Sequence, residues 1–190
     1  GPGKLIIKEY PTASAHSGHF KALLNELALK KSFKPDVLFI DYLNICASSR
    51  FKGGNISSYF YIKAIAEELR GLAVEFKLPI FTATQTTRSG FVSTDIGLED
   101  TSESFGLPAT ADFMFALMSS EELDALNQMK VKQLKNRYSD PAINRSFIIG
   151  VDRSKMRLYD VEQKAQNIVD ANQEKKVEVD PYDKFSDFKV

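Results

Sequence analysis

The 190-residue sequence predicts an α/β domain with a mostly parallel sheet, an antiparallel margin and a C-terminal tail. Three observations carry this. Val37-Leu38-Phe39-Ile40 is a continuous apolar run of strand length, the pattern of a strand buried on both faces of a parallel sheet. Segments of helical period flank it: Phe20, Leu23, Leu24 and Leu27 before it, and Ile62, Ile65, Ala66, Leu69, Ala73 and Phe76 after it. Towards the C-terminus that period gives way to three β-rich stretches at 131–137, 146–151 and 156–161.

The elements follow in order. Gly1-Pro2-Gly3 has the form of a protease-cleavage scar and marks residues 4–190 as a piece of a longer protein. Leu5-Ile6-Ile7 reads as a short strand ending near Pro11, and residues 17–31 as an amphipathic helix. Pro35 precedes the apolar strand. Lys52-Gly53-Gly54-Asn55 marks a loop before the second helix, which Pro79 stops. Ile80 to Thr84 is the next strand. Residues 86–106, rich in Thr, Ser, Gly and Asp, read as a long loop of the functional kind. Phe113 to Met118 forms a further strand, and Ser119-Ser120-Glu121-Glu122 opens a short helix with a capping box. Residues 163–190 lack apolar periodicity and read as a flexible tail.

Composition removes several classes of function. With 43% hydrophobic and 26% charged residues the chain can build a core. The apolar runs are too short for a bilayer span. Cys46 is the single cysteine, so no intrachain disulfide forms and a reducing cytoplasm suits the chain. No serine-hydrolase elbow, C-x-x-C or H-E-x-x-H motif occurs. His16 and His19 form an H-x-x-H pair without a third ligand, which argues against zinc. Net charge is zero, yet this is a cancellation of blocks: +5 over 1–88, −8 over 89–129, +6 over 130–159 and −3 over 160–190. The basic block from Lys130 to Arg157 suits either a phosphate-facing surface or a solvated strand face.

Four residues stand where phosphate chemistry would need them. Asp41 ends the apolar strand, the place of a Mg²⁺ carboxylate in nucleotide-hydrolysing α/β folds; a turn residue is the plainer reading. Gln85 ends the next strand, where an amide can sense a phosphate or simply satisfy the strand end. Lys135 and Arg137 alternate about Asn136, which on a strand directs both cations to one face. No G-x-x-x-x-G-K-[ST] phosphate loop exists in the chain.

Taken together, Val37 to Leu43, Thr82 to Arg88, Ser102 to Gly106 with Ala111-Asp112, and Lys135 to Tyr138 resemble the motif series of DnaB-type replicative helicases in order and spacing. Residues 64–70 and 107–113 look most like the primosome helicase of large tailed bacteriophages. The resemblance spans residues 4–162. It implies a RecA-like P-loop NTPase core, truncated before the Walker A strand, from an ATP- and Mg²⁺-dependent hexamer that encircles single-stranded DNA in the bacterial host cytoplasm. Asp41 then matches the Walker B aspartate, which binds Mg²⁺ through water, and Gln85 the γ-phosphate sensor. Lys135 and Arg137 match the finger pair that reaches the neighbouring subunit's ATP. Ser102, Glu103 and Phe105 match the inward DNA loop, with Arg88 at the base of the preceding loop. Phe105 departs from the family, where a small residue is usual, and an aromatic there suits base stacking. The piece alone is expected to be inactive and to hold no cofactor tightly.

At the C-terminus Tyr182, Phe185 and Phe188 recur every three residues among acidic groups. This reads either as a docking peptide over 181–190 for a replisome partner such as a helicase loader, or as a tail that packs on its own domain; primase is a further expected partner. The competing readings are a RecA-like recombinase and a non-enzymatic docking fragment.

Overall fold

A computed structural model describes residues 2–52, 54–85 and 106–162. The chain divides into two compact units, Gly1–Asp112 and Phe113–Val190.

In the first unit, α1 (Ser17–Lys31) begins at His16 and ends at Ser32, which takes the left-handed conformation (φ 48°) and returns its N–H to the Leu27 carbonyl. Lys30 and Lys31 lie in its last turn, where cations suit the helix dipole. Phe20, Leu24 and Leu27 are its buried residues, one stripe at helical spacing. The strand β1 (Leu38–Ile40) leads to a single 3₁₀ turn, Leu43–Ile45. Helix α2 (Ser58–Phe76) buries Ile62, Ala64, Ile65, Leu69 and Leu72, and Lys77 closes it with φ 49°. The strand β2 (Ile80–Thr82) pairs parallel to β1, with Leu38 opposite Ile80 and Ile40 opposite Thr82. The short helix α3 (Gly106–Thr110) packs on α2, with Leu107 buried.

Two expectations fail here. Leu5-Ile6-Ile7 is not a strand: among the described residues it has no ladder partner, and Leu5 and Ile7 are more than four-fifths exposed. What anchors this segment is Tyr10, whose ring meets Phe20 edge-on at 5.8 Å. Nor is β1 buried on both faces. Ile40 is buried, whereas Phe39 is 70% exposed and stacks on Phe81 at 5.3 Å between ring centroids. With one strand neighbour among the described residues, β1 follows the alternation of a half-covered strand.

The second unit is an antiparallel meander in the order β3-β4-β5-β6. Its strands are β3 (Phe113–Met118), β4 (Gln128–Asn136), β5 (Ser146–Asp152) and β6 (Arg157–Asp160), with α4 (Glu121–Ala125) between the first two. Ser120 caps α4 by accepting the Leu123 N–H at 3.2 Å; the expected capping box is not formed, because the third helical residue after this cap is Leu123 and not a glutamate. Register shifts between Met114 and Phe115: Met114 faces Lys135 but Phe115 faces Gln133, so Leu134 is the extra residue of a bulge. Of the four pairings among the described residues, one is parallel and three are antiparallel.

Candidate functional site

The site candidate of the first unit lies at the carboxyl ends of β1 and β2. Ligands of open α/β sheets bind at such ends. Asp41 is the residue after β1 and is exposed; Gln85, three residues beyond β2, is also exposed. Three hydrogen bonds hold the two strand exits together. Thr82 Oγ1 donates to the Ile40 carbonyl at 2.8 Å, Leu43 N–H to the Ala83 carbonyl at 3.0 Å, and Thr84 Oγ1 to Asn44 Oδ1 at 2.8 Å. The parallel register and these bonds therefore bring Asp41 and Gln85 to one end of one strand pair. Asn44 and Thr84 were missed in the sequence. Their only signal is polarity just after an apolar strand, and their pairing spans 40 residues.

Behind Asp41, Ala13 N–H donates to the Ile45 carbonyl at 2.8 Å and Ala47 N–H to the Ala15 carbonyl at 2.7 Å. Cys46 is buried there, and burial pushes its thiol pKa up, which makes it inert. Glu68 on α2 fixes the next stretch by accepting the Ser49 and Arg50 N–H groups at 2.8 and 3.1 Å. An open groove of about 590 Å³ lies alongside, with Phe51, Ile56 and Phe60 in its wall. Its cations, Arg50 and Lys63, both pair with Glu67.

His16 and His19 cap α1. His16 Nδ1 accepts the Gly18 N–H at 3.0 Å, and His19 Nδ1 accepts the His16 N–H at 3.1 Å. An acceptor Nδ1 leaves the proton of the neutral ring on Nε2, so neither ring offers a metal a lone pair without losing its cap. Among the described residues, no group of three His, Cys, Asp or Glu is placed to hold a metal. Asp41 fits Mg²⁺ only as one carboxylate acting through water, and the sequence holds no phosphate loop to complete a nucleotide cradle.

In the second unit, Lys135 lies in β4 opposite Met114, and Arg137 is the residue just after the strand. The Asn136 side chain ends the strand. It accepts the Tyr138 N–H at 3.0 Å and donates to Ser139 Oγ at 2.9 Å. The ladder that would direct both cations to one face therefore runs only as far as Asn136. Arg88, Ser102, Glu103, Phe105, Tyr182, Phe185 and Phe188 lie outside the described residues. No described helix is long and apolar enough to cross a membrane.

A second polar cluster joins α2 to α3. Arg70 Nη1 donates to the Thr110 carbonyl at 2.8 Å and to Asp112 Oδ1 at 2.9 Å. Sequence reading gave these residues no role, because the contact spans 42 positions.

No protein-family model matches the chain. It is 46% identical over 161 residues to the DnaB-like replicative helicase of Enterobacteria phage T4; the match covers 85% of this chain and 34% of that protein. Among solved structures, an ATPase domain superposes with a TM-score of 0.65 at 18% identity, over 78% of this chain and 52% of that one. A DnaB-like replicative helicase, solved in a study of its interactions with primase, gives a TM-score of 0.65 at 19% identity over 78% of this chain and 36% of its own. These likenesses show the fold. The sequence is thus similar to about a third of a DnaB-like replicative helicase, and the fold is that of helicase ATPase domains.

Proposed function

We propose that the chain supplies part of the ATPase motor of a replicative DNA helicase. In the longer protein this is a hexameric ring that hydrolyses ATP, moves on single-stranded DNA and unwinds the duplex at the replication fork in the bacterial host cytoplasm. The observation that carries the reading is the 46% identity to the T4 helicase, in a chain whose Asp41 and Gln85 end neighbouring parallel strands.

Each residue has a task in this reading. Asp41 holds Mg²⁺ through water, and ATP bound with Mg²⁺ supplies the phosphoryl group. Gln85 responds to the γ-phosphate and passes the signal into the 86–105 segment that follows it. Within that segment Arg88, Ser102, Glu103 and Phe105 contact DNA; small polar groups and backbone amides track phosphates without a large positive charge, which suits a segment that lies in the −8 block from residue 89 onward. Lys135 and Arg137 stabilise the developing charge on the ATP of the adjacent subunit. Primase is the partner suggested by the solved neighbour, and residues 181–190, with Tyr182, Phe185 and Phe188, dock a helicase loader.

The test is a chimera of the T4 helicase in which this chain replaces the matched segment. Arg137→Ala there should lower ATP hydrolysis by roughly 10³-fold while nucleotide binding persists, because the finger acts from outside the site it serves. Doping that variant with an excess of subunits whose Asp41 is replaced by asparagine should recover some turnover. Normal hydrolysis by the Arg137→Ala chimera sinks the finger assignment. Brisk hydrolysis by the 190-residue chain alone sinks the view that its phosphate loop lies elsewhere.

A further inference from the structure

We infer that Arg70 is a positioning residue of the motor, the point at which α2 fixes the 106–112 stretch that follows the 86–105 segment in sequence. The inference rests on the helicase reading for what that segment does, and on described geometry for how the stretch after it is held.

The chain leaves β2 near Gln85 and returns at α3, whose last residue is Thr110. A five-residue helix has too few internal hydrogen bonds to hold itself in place. Packing against α2 helps to hold it instead. Leu107 is 4% exposed, and the Arg70 guanidinium takes the Thr110 carbonyl and the Asp112 carboxylate together. The carbonyl lies at the helix C-terminus, where backbone acceptors lack intrahelical donors and a cation is favoured. The carboxylate lies one residue before β3, whose first pairs are Phe113 with Asn136 and Met114 with Lys135.

The clamp is partly exposed, with Arg70 at 38% and Asp112 at 36% of their side-chain surface. An ordinary ion pair at that exposure adds little to stability. One nitrogen shared between a helix-end carbonyl and a carboxylate fixes a geometry, and that is its use. It holds the 106–112 stretch between the proposed DNA-contacting residues and the strand that registers the finger strand. Release of this stretch should uncouple DNA from hydrolysis and leave the core intact. Lysine, a point charge without the planar fork, should restore the effect only in part.

Two measurements test this. In the 190-residue chain, Arg70→Ala should speed amide exchange at Leu107, Ala109 and Ala111 by tenfold or more, with α1 unchanged. In the T4 chimera it should lower oligodeoxythymidine-stimulated ATP hydrolysis about tenfold, leave the unstimulated rate and the ATP KM within twofold, and be partly rescued by Arg70→Lys. Glu75→Ala, which removes another exposed ion pair of α2 with Lys21, is the control and should leave stimulation intact. Stimulation within twofold of the unmutated chimera, or an equal loss from Glu75→Ala, overturns the role of Arg70 and leaves the helicase reading standing. An unmutated chimera that binds and hydrolyses ATP but ignores DNA overturns both.

Discussion

The two units bury their apolar residues in different ways. In the first, most buried positions come from helices and the loops between them, among them Phe20, Leu24, Leu27, Leu43, Ile62, Ile65, Leu69, Leu72 and Leu78, with Ile40 added from β1. In the second, β3 alternates cleanly. Ala116 and Met118 are buried, while Phe113, Phe115 and Leu117 are between 43% and 57% exposed. The helical unit therefore rests on side chains packed from several directions. The sheet unit rests on its ladder, and on what lies against one face of it. Perturbing one side chain in each should separate the two cases.

The largest effect belongs to the helical core. Ile65 is 1% exposed, and Ile65→Ala should cost about 2–5 kcal/mol because the cavity adds to the lost transfer energy. Phe115→Ala removes a larger side chain from a 44% exposed site and should cost less than half as much. Urea titrations followed by circular dichroism would measure both, since the chain has no tryptophan. Equal costs would show that the exposed face of β3 is as tightly packed as α2, and the contrast would fail.

In the sheet the sensitive position is a glycine. Gly150 lies opposite Tyr159, whose ring covers it: a β-carbon at 150 would fall 2.2 Å from two ring atoms. Gly150→Ala must displace that ring and should cost about 1–3 kcal/mol. In a Tyr159→Ala background the same change should cost close to nothing, because the two residues share one space. Additive costs in the double variant would mean that strain at 150 comes from elsewhere.

Legibility in the sequence follows the same division. Helix α1 spans the residues that its apolar spacing indicates, because Phe20, Leu24 and Leu27 carry their signal within two turns. In α2 the strip is shifted. Ala64 and Leu72 are buried, whereas Ala66, Ala73 and Phe76 are only partly covered, since periodicity gives a face but not its centre. Strands depend on neighbours that local pattern does not contain. Leu5-Ile6-Ile7 has strand composition and no partner among the described residues, and Phe39 has core composition and faces solvent. At the candidate site, the placement of Asp41 and Gln85 beyond neighbouring strands was legible because each follows an apolar run. The bond between Asn44 and Thr84 and the clamp on Arg70 were not, since each joins residues 40 or more positions apart.

The smallest predicted effect concerns the H-x-x-H pair, whose meaning the structure changed from a poor metal motif to a helix cap. The His16 Nδ1 accepts the Gly18 N–H, so protonation of His16 replaces that acceptor with a donor and adds positive charge at the helix N-terminus, where it is unfavourable. Around His16 lie His19 from α1, Glu68 from α2 and Lys52 from the loop; desolvation first, then His19 and Lys52, hold its pKa below 6.5, while Glu68 opposes them. A histidine with a lowered folded-state pKa binds fewer protons than its unfolded counterpart between the two values. Its contribution to stability is thus complete above about pH 6.5 and is lost as pH falls from there through the folded-state pKa. Tm should therefore decline between pH 7.5 and 5.5, with helix signal lost. His16→Asn keeps a cap that cannot be protonated and should flatten the decline, whereas His16→Ala should cost about 1 kcal/mol at pH 7.5 by removing the cap. An equally steep decline in the asparagine variant would place the titration on other groups, and the histidine pair would then be a cap without pH sensitivity.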